Sequence, residues 1–258
     1  MKNIFQRGFK ILVQDGVNQF LLGVIWTVWR RSIRKTMRPL SVKNTFELDE
    51  VISDWNPENK FRQGDLFFGF QGYGQDGEIH AHQIFTQRRD EVVIIGGGFG
   101  VTTVHAARQV GGGGLVTVFE GGQIASHVRR VAQLNDVDDV VTVEEAIVGD
   151  PTTLYQGMSD DAVIIDPADL PACDVLEMDC EGSELGILEG MQIRPRVLIV
   201  ELHPTMYDAP NAAPVELIEE MRYEMTYWST QEGEQMSEQE FLDRLADGCG
   251  DVLAAVRE

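Results

Sequence analysis

The residues best suited to chemistry fall in three places along the 258-residue chain. Asp179-Cys180-Glu181-Gly182-Ser183-Glu184 holds three carboxylates in six residues, and Glu201-Leu202-His203-Pro204 sets a carboxylate two positions before a histidine. Upstream, Gly96-Gly97-Gly98-Phe99-Gly100 is rich in glycine, and Glu120 follows Gly96 by 24 residues. A histidine near its ordinary pKa can accept a proton at neutral pH, and a neighbouring carboxylate can orient it. His203 is therefore a candidate base, Glu201 its candidate orienting partner, and Glu181 a candidate for positioning an acceptor. Glycines after a strand let the backbone approach a ligand and leave helix N-terminal N–H groups free. An acid ending the next strand can accept hydrogen bonds from two ribose hydroxyls, which is the role open to Glu120.

Each feature has a plainer alternative. The glycine run can be a tight turn. Asp179 or Ser183 can cap the following helix, and Glu181 and Glu184 suit a helix N-terminus because of its dipole, Glu184 more so. His203 can be a solvated turn residue, and His80, His82, His105 and His127 show no motif. No set of histidines and carboxylates converges in sequence, so no metal site is expected. Cys173, Cys180 and Cys249 form no C-x-x-C pair, which leaves reduced thiols as the simplest reading.

The elements that must position these residues alternate. Val92–Ile95 is a continuous apolar run of the buried parallel kind, followed by the glycine turn and a helix over Val101–Val110. Gly111–Gly114 permits a tight return. Leu115–Glu120 reads as a strand, Gln123–Leu134 as a helix and Val140–Ala146 as a third strand. Asp161–Ile165 reads as a short strand. Asp174–Asp179 is a fourth main strand, Ser183 to Gly190 a short helix, and Val197–Leu202 a fifth strand. Pro214–Met221 helix, Met225–Trp228 strand, Glu238–Ala246 helix and Asp251–Val256 strand complete the series. Repeated alternation predicts an α/β fold with a doubly wound, mostly parallel, Rossmann-like sheet, whose ligands bind outside the carboxyl ends of the strands. Before it, Asp65–Phe70 and Ile79–Phe85, separated by the turn Gln71–Gly77, read as a hairpin. Residues 41–60 read as a linker.

The run Asp174-Val175-Leu176-Glu177-Met178-Asp179-Cys180-Glu181-Gly182-Ser183-Glu184 resembles the signature of the FkbM-type S-adenosylmethionine-dependent methyltransferases, in which a strand ends in Asp-x-Glu-Gly-x-Glu. Val92–Thr103 is similar to that family's first cofactor loop, and Glu120 stands where its ribose-binding acid stands. Glu145-Ala146-Ile147-Val148-Gly149-Asp150 resembles its loop after the third strand, near the adenine. Leu188-Glu189-Gly190 continues the fourth motif, and Val200-Glu201-Leu202-His203-Pro204 resembles its fifth-strand ending. The resemblance covers roughly residues 62–256. It implies a class I methyltransferase sheet of about seven strands with S-adenosylmethionine as cofactor. It also implies cofactor contacts at Gly96, Gly97, Gly98, Phe99, Gly100, Glu120, Ala146 and Asp179, the last facing the cofactor's methionine end. Ile94 and Gly98 depart from the family's usual Asp and Asn.

Two other readings bear on function. A nicotinamide- or nucleotide-sugar-dependent oxidoreductase shares a glycine loop and an acid. Its Gly-x-Gly-x-x-Gly fingerprint, started at Gly96, would need glycine where Val101 stands. The other is a non-catalytic scaffold that keeps the fold and binds a membrane partner. Family members include O-methyltransferases, so the resemblance implies transfer to a hydroxyl or carboxyl of a sugar, glycan or other polar small molecule.

Charge is unevenly distributed. Residues 1–40 hold eight Lys/Arg and one acid, a balance of +7; the rest hold thirteen Lys/Arg and 41 acids, a balance of −28. So acidic a body repels nucleic-acid phosphates, and salt would relieve its self-repulsion, as in a protein adapted to high salt. The longest apolar stretch, Val17 to Trp29, is too short to span a membrane and lacks the cleavage site of a signal peptide. Phe5, Phe9, Leu12, Phe20, Val24 and Val28 recur at helical steps. Trp26 and Trp29 meet Arg30, Arg31, Arg34, Lys35 and Arg38, a pattern that fits an interfacial anchor on an anionic membrane. The same helix would serve equally for packing on the domain or on a second subunit, as in a homo-oligomer. The expected location is cytoplasmic, with peripheral contact at the inner face of the membrane; a lipid-linked glycan is then a candidate acceptor.

Overall fold

A computed structural model describes residues 42–45, 50–53, 75–122, 124–150 and 163–257. The N-terminal helix expected over residues 1–40 lies outside the described residues. Within the stretch read as a linker, β1 (Val42–Thr45) and β2 (Glu50–Ser53) pair as a two-stranded sheet. The described residues of 43–53 and 71–258 form one compact unit.

The main sheet has eight strands. In chain order they are β3 (Glu91–Ile95), β4 (Leu115–Glu120), β5 (Val141–Val148), β6 (Val163–Ile165), β7 (Val175–Met178), β8 (Val197–Glu201), β9 (Glu224–Thr230) and β10 (Asp251–Val256). Their spatial order is β6-β5-β4-β3-β7-β8-β10-β9. All neighbours from β6 to β8 are parallel, while β10 runs antiparallel to both β8 and β9. The doubly wound sheet expected from the strand–helix alternation is present.

Helices cover both faces, which is why strands β7 and β8 are buried at every residue and are apolar but for Glu177 and Glu201. Side chains alternate across the pleat. Val92, Ile94, Val116, Val118, Val175 and Ile199 pack with residues of α1 (Asp76–Phe85), α2 (Val101–Val110) and α3 (Ile124–Leu134). Val93, Ile95, Phe119, Leu176, Met178 and Val200 pack on the other face with α4 (Glu184–Gly190), α5 (Ala213–Glu220) and α6 (Glu238–Ala246).

The expected hairpin is corrected by α1. Its first arm, residues 65–70, lies outside the described residues, but Ile79–Phe85 is helical. The sequence Ile-His-Ala-His-Gln-Ile-Phe alternates as a strand would only if the histidines face water. Instead Glu78, Ile79, Ala81 and His82 are buried and Ile84 is 55% exposed, a helical stripe whose polar members are inside. Tertiary partners turned toward the sheet outweigh the local alternation.

The winding places the site. From β3 the chain moves outward through β4, β5 and β6. It then crosses back to β7, on the opposite side of β3. Strand order reverses between β3 and its neighbours, so a crevice opens at their carboxyl ends, where Gly96 and Asp179 begin the following loops.

Candidate functional site

Gly96, Gly98 and Gly100 all have positive φ, at 89°, 48° and 77°. At Gly96 no side chain is tolerable: a Cβ would lie 1.7 Å from the Asp179 carbonyl oxygen. The Gly96 N–H donates to the Phe119 carbonyl at 3.0 Å, and the Asp179 N–H donates to that of Ile95 at 3.0 Å. These bonds lock together the ends of β3, β4 and β7. Gly100 caps α2 in the left-handed region, while Gly97 faces Val118 and leaves no room for a methyl group. Phe99 packs against the apolar core and meets the His127 ring edge to face.

Glu120 ends β4 and is only 3% exposed. Its Oε2 accepts from the Gly98 N–H at 2.7 Å, so the glycine loop folds over the acid. Burial raises the Glu120 carboxyl to about 7, although the backbone N–H groups of Gly98 and Gly121 act against the rise. Ala146 lies inside β5, which runs on to Val148, and not in the loop after it. The register Glu120↔Glu145 nevertheless sets Ala146 one residue beyond the end of β4.

The turn after β7 is built from Glu181 and Gly182, both at positive φ, 54° and 100°. Glu184 reaches back over its own helix start, and its Oε1 accepts from the N–H groups of Cys180 (3.1 Å) and Gly182 (3.2 Å). That is the structural role expected of it. A second role was not legible: the same Oε1 lies 2.9 Å from Nδ1 of His203. Burial would raise the Glu184 carboxyl, but the bond and charge of His203 with the backbone donors leave it below its ordinary value.

His203 follows β8 and meets the β7 turn. Its Nε2 lies 3.5 Å from Glu201 Oε1, 3.6 Å from Glu181 Oε2 and 3.8 Å from Asp179 Oδ1. The structure thus brings the three candidates for catalysis, His203, Glu201 and Glu181, into one cluster with Asp179. Burial alone would lower the imidazole pKa. The Glu184 bond and the charges of Glu184, Glu201 and Asp179 outweigh it and raise the ring to about 9. The sequence reading of a histidine poised near its ordinary value is therefore altered by its surroundings: at neutral pH the free protein holds it protonated.

Three further residues belong here, and sequence reasoning missed them. Glu78, from α1, is fully buried, and neither carboxylate oxygen has a hydrogen-bond donor. Its carboxyl lies against that of Glu201 and near that of Asp179, and burial followed by these charges raises its pKa well above the carboxylate range. Two carboxyls in contact can bond only by sharing a proton. Gln75 donates from Nε2 to Asp179 Oδ2 at 3.5 Å, and Gln231 donates to Glu201 Oε1. Burial, then Glu201, also raises Asp179, with His203 opposing. The missed signal was a buried polar helix face in a segment that alternates like a strand.

Behind the cluster, His82 Nε2 meets Glu177 Oε2 at 2.5 Å and His82 Nδ1 meets Thr86 Oγ1 at 2.8 Å, all inside the core. This is a structural histidine, in keeping with its lack of a motif. The three cysteines are free. Asp179, Glu201 and His203 each offer one donor atom within 4.8 Å of the others. The fold thus gathers donors that do not converge in sequence, contrary to the expectation behind the absence of a metal site.

A glycine cradle closed on Asp179, a buried acid at the end of β4 and a carboxylate cluster at the switch point make a candidate site for a nucleotide cofactor, with an acidic floor. They fit S-adenosylmethionine: Glu120 can take its ribose hydroxyls, and the acids can face its cationic end. The match to known families agrees. Residues 112–234, from just before β4 to just past the end of β9, match the family described as the methyltransferase FkbM domain. Over that stretch, a little under half of the chain, the protein is similar to the methyltransferase FkbM family, as the motif resemblance implied.

Among solved structures, an O-methyltransferase from Bacillus cereus in complex with SAH is 17% identical, with 73% of this chain and 83% of that one covered at a TM-score of 0.45. A SAM-dependent O-methyltransferase from Thermotoga maritima is 14% identical, covering 75% and 69% at 0.45. A precorrin-6y C5,15-methyltransferase from Geobacter metallireducens is 14% identical, covering 70% and 87% at 0.44. A search of curated protein sequences returned no match. The methyltransferase reading rests on the stretch that matches the family model, and not on these distant likenesses.

Proposed function

We propose that the protein transfers a methyl group to a hydroxyl or carboxyl oxygen of a sugar, glycan or other polar small molecule. The observation that carries this reading is His203 Nε2 set among Asp179, Glu181 and Glu201, beside the glycine cradle. When bound, S-adenosylmethionine supplies a methyl carbon on a positively charged sulfur. Gly96–Gly100 offer backbone close to the cofactor, Glu120 accepts from its ribose, and Ala146 stands level with them. Asp179 attracts the cationic end. A cation entering the cluster offsets the negative charge that holds the His203 proton, so the ring becomes free to accept a proton from the acceptor hydroxyl. Glu201 steadies the ring, and Glu181, half-exposed on its turn, orients the acceptor. So placed, the acceptor oxygen would take the methyl carbon as the carbon–sulfur electron pair returned to sulfur, with S-adenosylhomocysteine as the neutral leaving group.

The aromatic and basic residues of 1–40 support an acceptor held at a membrane, such as a lipid-linked glycan. Among the described residues no helix is long and apolar enough to cross a membrane. The test is methyl-labelled cofactor with a panel of free sugars, nucleotide sugars and polyprenol-linked glycans. Label in an ether or ester of one class is the expected result. Binding of S-adenosylhomocysteine with no transfer to any oxygen acceptor would overturn the acceptor class. Failure to bind it, with a nicotinamide bound in its place, would favour the oxidoreductase.

A further inference from the structure

We propose that Asp179, Glu201 and His203 form a divalent-cation site in which Glu78 is a fourth ligand or a close anionic neighbour. Their donor atoms lie within 4.8 Å of one another, at the carboxyl ends of adjacent strands β7 and β8. Bonds of about 2.1 Å need donors roughly 3 to 4 Å apart, so small side-chain rotations suffice to close the set.

Two independent observations point to a ligand there. The first is Glu78. A fully buried acid whose oxygens find no partner beyond a second carboxyl can ionise only at high cost, and a cation between the two would remove that cost. The second is the orientation of His203. Its Nδ1 faces Glu184, which also accepts from two backbone N–H groups and is therefore held as an acceptor. A proton on Nδ1 leaves the Nε2 lone pair facing Asp179 and Glu201. A carboxylate behind a histidine in this way fixes the tautomer of metal-bound imidazoles. Gln231 and Gln75 hold Glu201 and Asp179 from the side.

Two carboxylates and one imidazole suit a first-row divalent ion such as Mn2+ better than Ca2+, which takes six to eight oxygens. With the ion bound, His203 Nε2 is a ligand in place of the proton acceptor, and the ion would itself draw in the acceptor oxygen and ease loss of its proton to solvent; this use rests on the methyltransferase reading, but the site does not.

The test is Mn2+ titration of the full chain, stripped with chelator and kept in high KCl so that surface acids are screened, with free Mn2+ read by electron paramagnetic resonance. One ion bound per chain is expected, at least tenfold weaker in Glu201→Gln and Asp179→Asn, and weaker in Glu78→Gln. Mn2+ should also raise the melting temperature of the wild type, which keeps the proposal testable if a variant does not fold. No stoichiometric binding, no rise in melting temperature, or affinity unchanged in folded Glu201→Gln would overturn it. S-adenosylhomocysteine binding is measured on the same samples. Its presence without Mn2+ binding ends the cation site alone, and Mn2+ binding without it ends the methyltransferase reading alone.

Discussion

Nδ1 of His203 stands 2.9 Å from Oε1 of Glu184, 19 residues earlier in the chain, and this contact decides which ring nitrogen faces the acidic cluster. It ties the end of β8 to the turn after β7 and couples the charge of the site to the stability of the fold.

Glu184→Gln should therefore lower stability by about 1–3 kcal/mol at neutral pH, the range for a lost charge-assisted hydrogen bond at a buried site. The pH dependence has a definite sign. His203 is raised from 6.5 to about 9, so its contribution is complete below pH 6.5 and is lost as pH rises through 9. Glu184 is lowered, so its share is present above the ordinary carboxylate value and lost in acid. Urea unfolding in the presence of chelator should show wild-type stability declining from pH 6.5 to 9, and a flatter profile in the variant.

If Glu120 binds the cofactor as proposed, the site has a pH dependence of its own. Ribose hydroxyls would donate to the ionised carboxylate, and burial has raised this acid to about 7. Protonation then competes with binding. Calorimetry should find S-adenosylhomocysteine about tenfold weaker at pH 6 than at pH 8, one pKa unit costing a factor of ten. In Glu120→Gln affinity should be lower and this dependence lost. For the fold the sign is reversed: with no ligand, the raised pKa makes Glu120 less stabilising as pH climbs from its ordinary value through 7.

Two glycines of the loop should respond differently to alanine. Gly96→Ala places a Cβ on the Asp179 carbonyl oxygen, so the β3–β7 contact must open and the protein should fail to fold or melt far lower. At Gly98 the Cβ meets only the Gln75 side chain, at 3.8 Å, and the cost is left-handed strain of about 1–2 kcal/mol. Gly98→Ala should stay folded and lose affinity for S-adenosylhomocysteine, which separates the loop's structural role from its binding role.

His82→Ala removes the partner of a carboxylate buried inside the core. An uncompensated charge of this kind costs about 3–5 kcal/mol. Thermal unfolding should reveal the loss, while the folded fraction still binds S-adenosylhomocysteine.

The net charge of −21 sets the response to salt. Screening weakens self-repulsion among the acids, so the melting temperature is expected to rise with KCl. A fall on raising KCl would count against salt adaptation.

Much of the fold was legible because strands covered on both faces are continuous apolar runs and helices are amphipathic. Val101–Val110, Leu115–Glu120, Glu238–Ala246 and Asp251–Val256 have the bounds read from periodicity alone. The edge strand Val163–Ile165 was legible as a strand but not in its place beside β5, because strand order is a long-range property. The glycine loop, Glu120 and the Asp179–Glu184 run could be read as strand-end and turn residues, since backbone conformation and strand ends are local features. The sequence by itself thus determined the alternation, the sheet type and the residues lining one crevice. Only the tertiary structure decided that α1 is a helix, that Glu78 reaches Glu201 across 123 positions, and that His203 sits among four carboxylates. Periodicity is a property of a short window of chain. The charge state of a buried group depends instead on what distant segments bring within a few ångströms, where water no longer screens it.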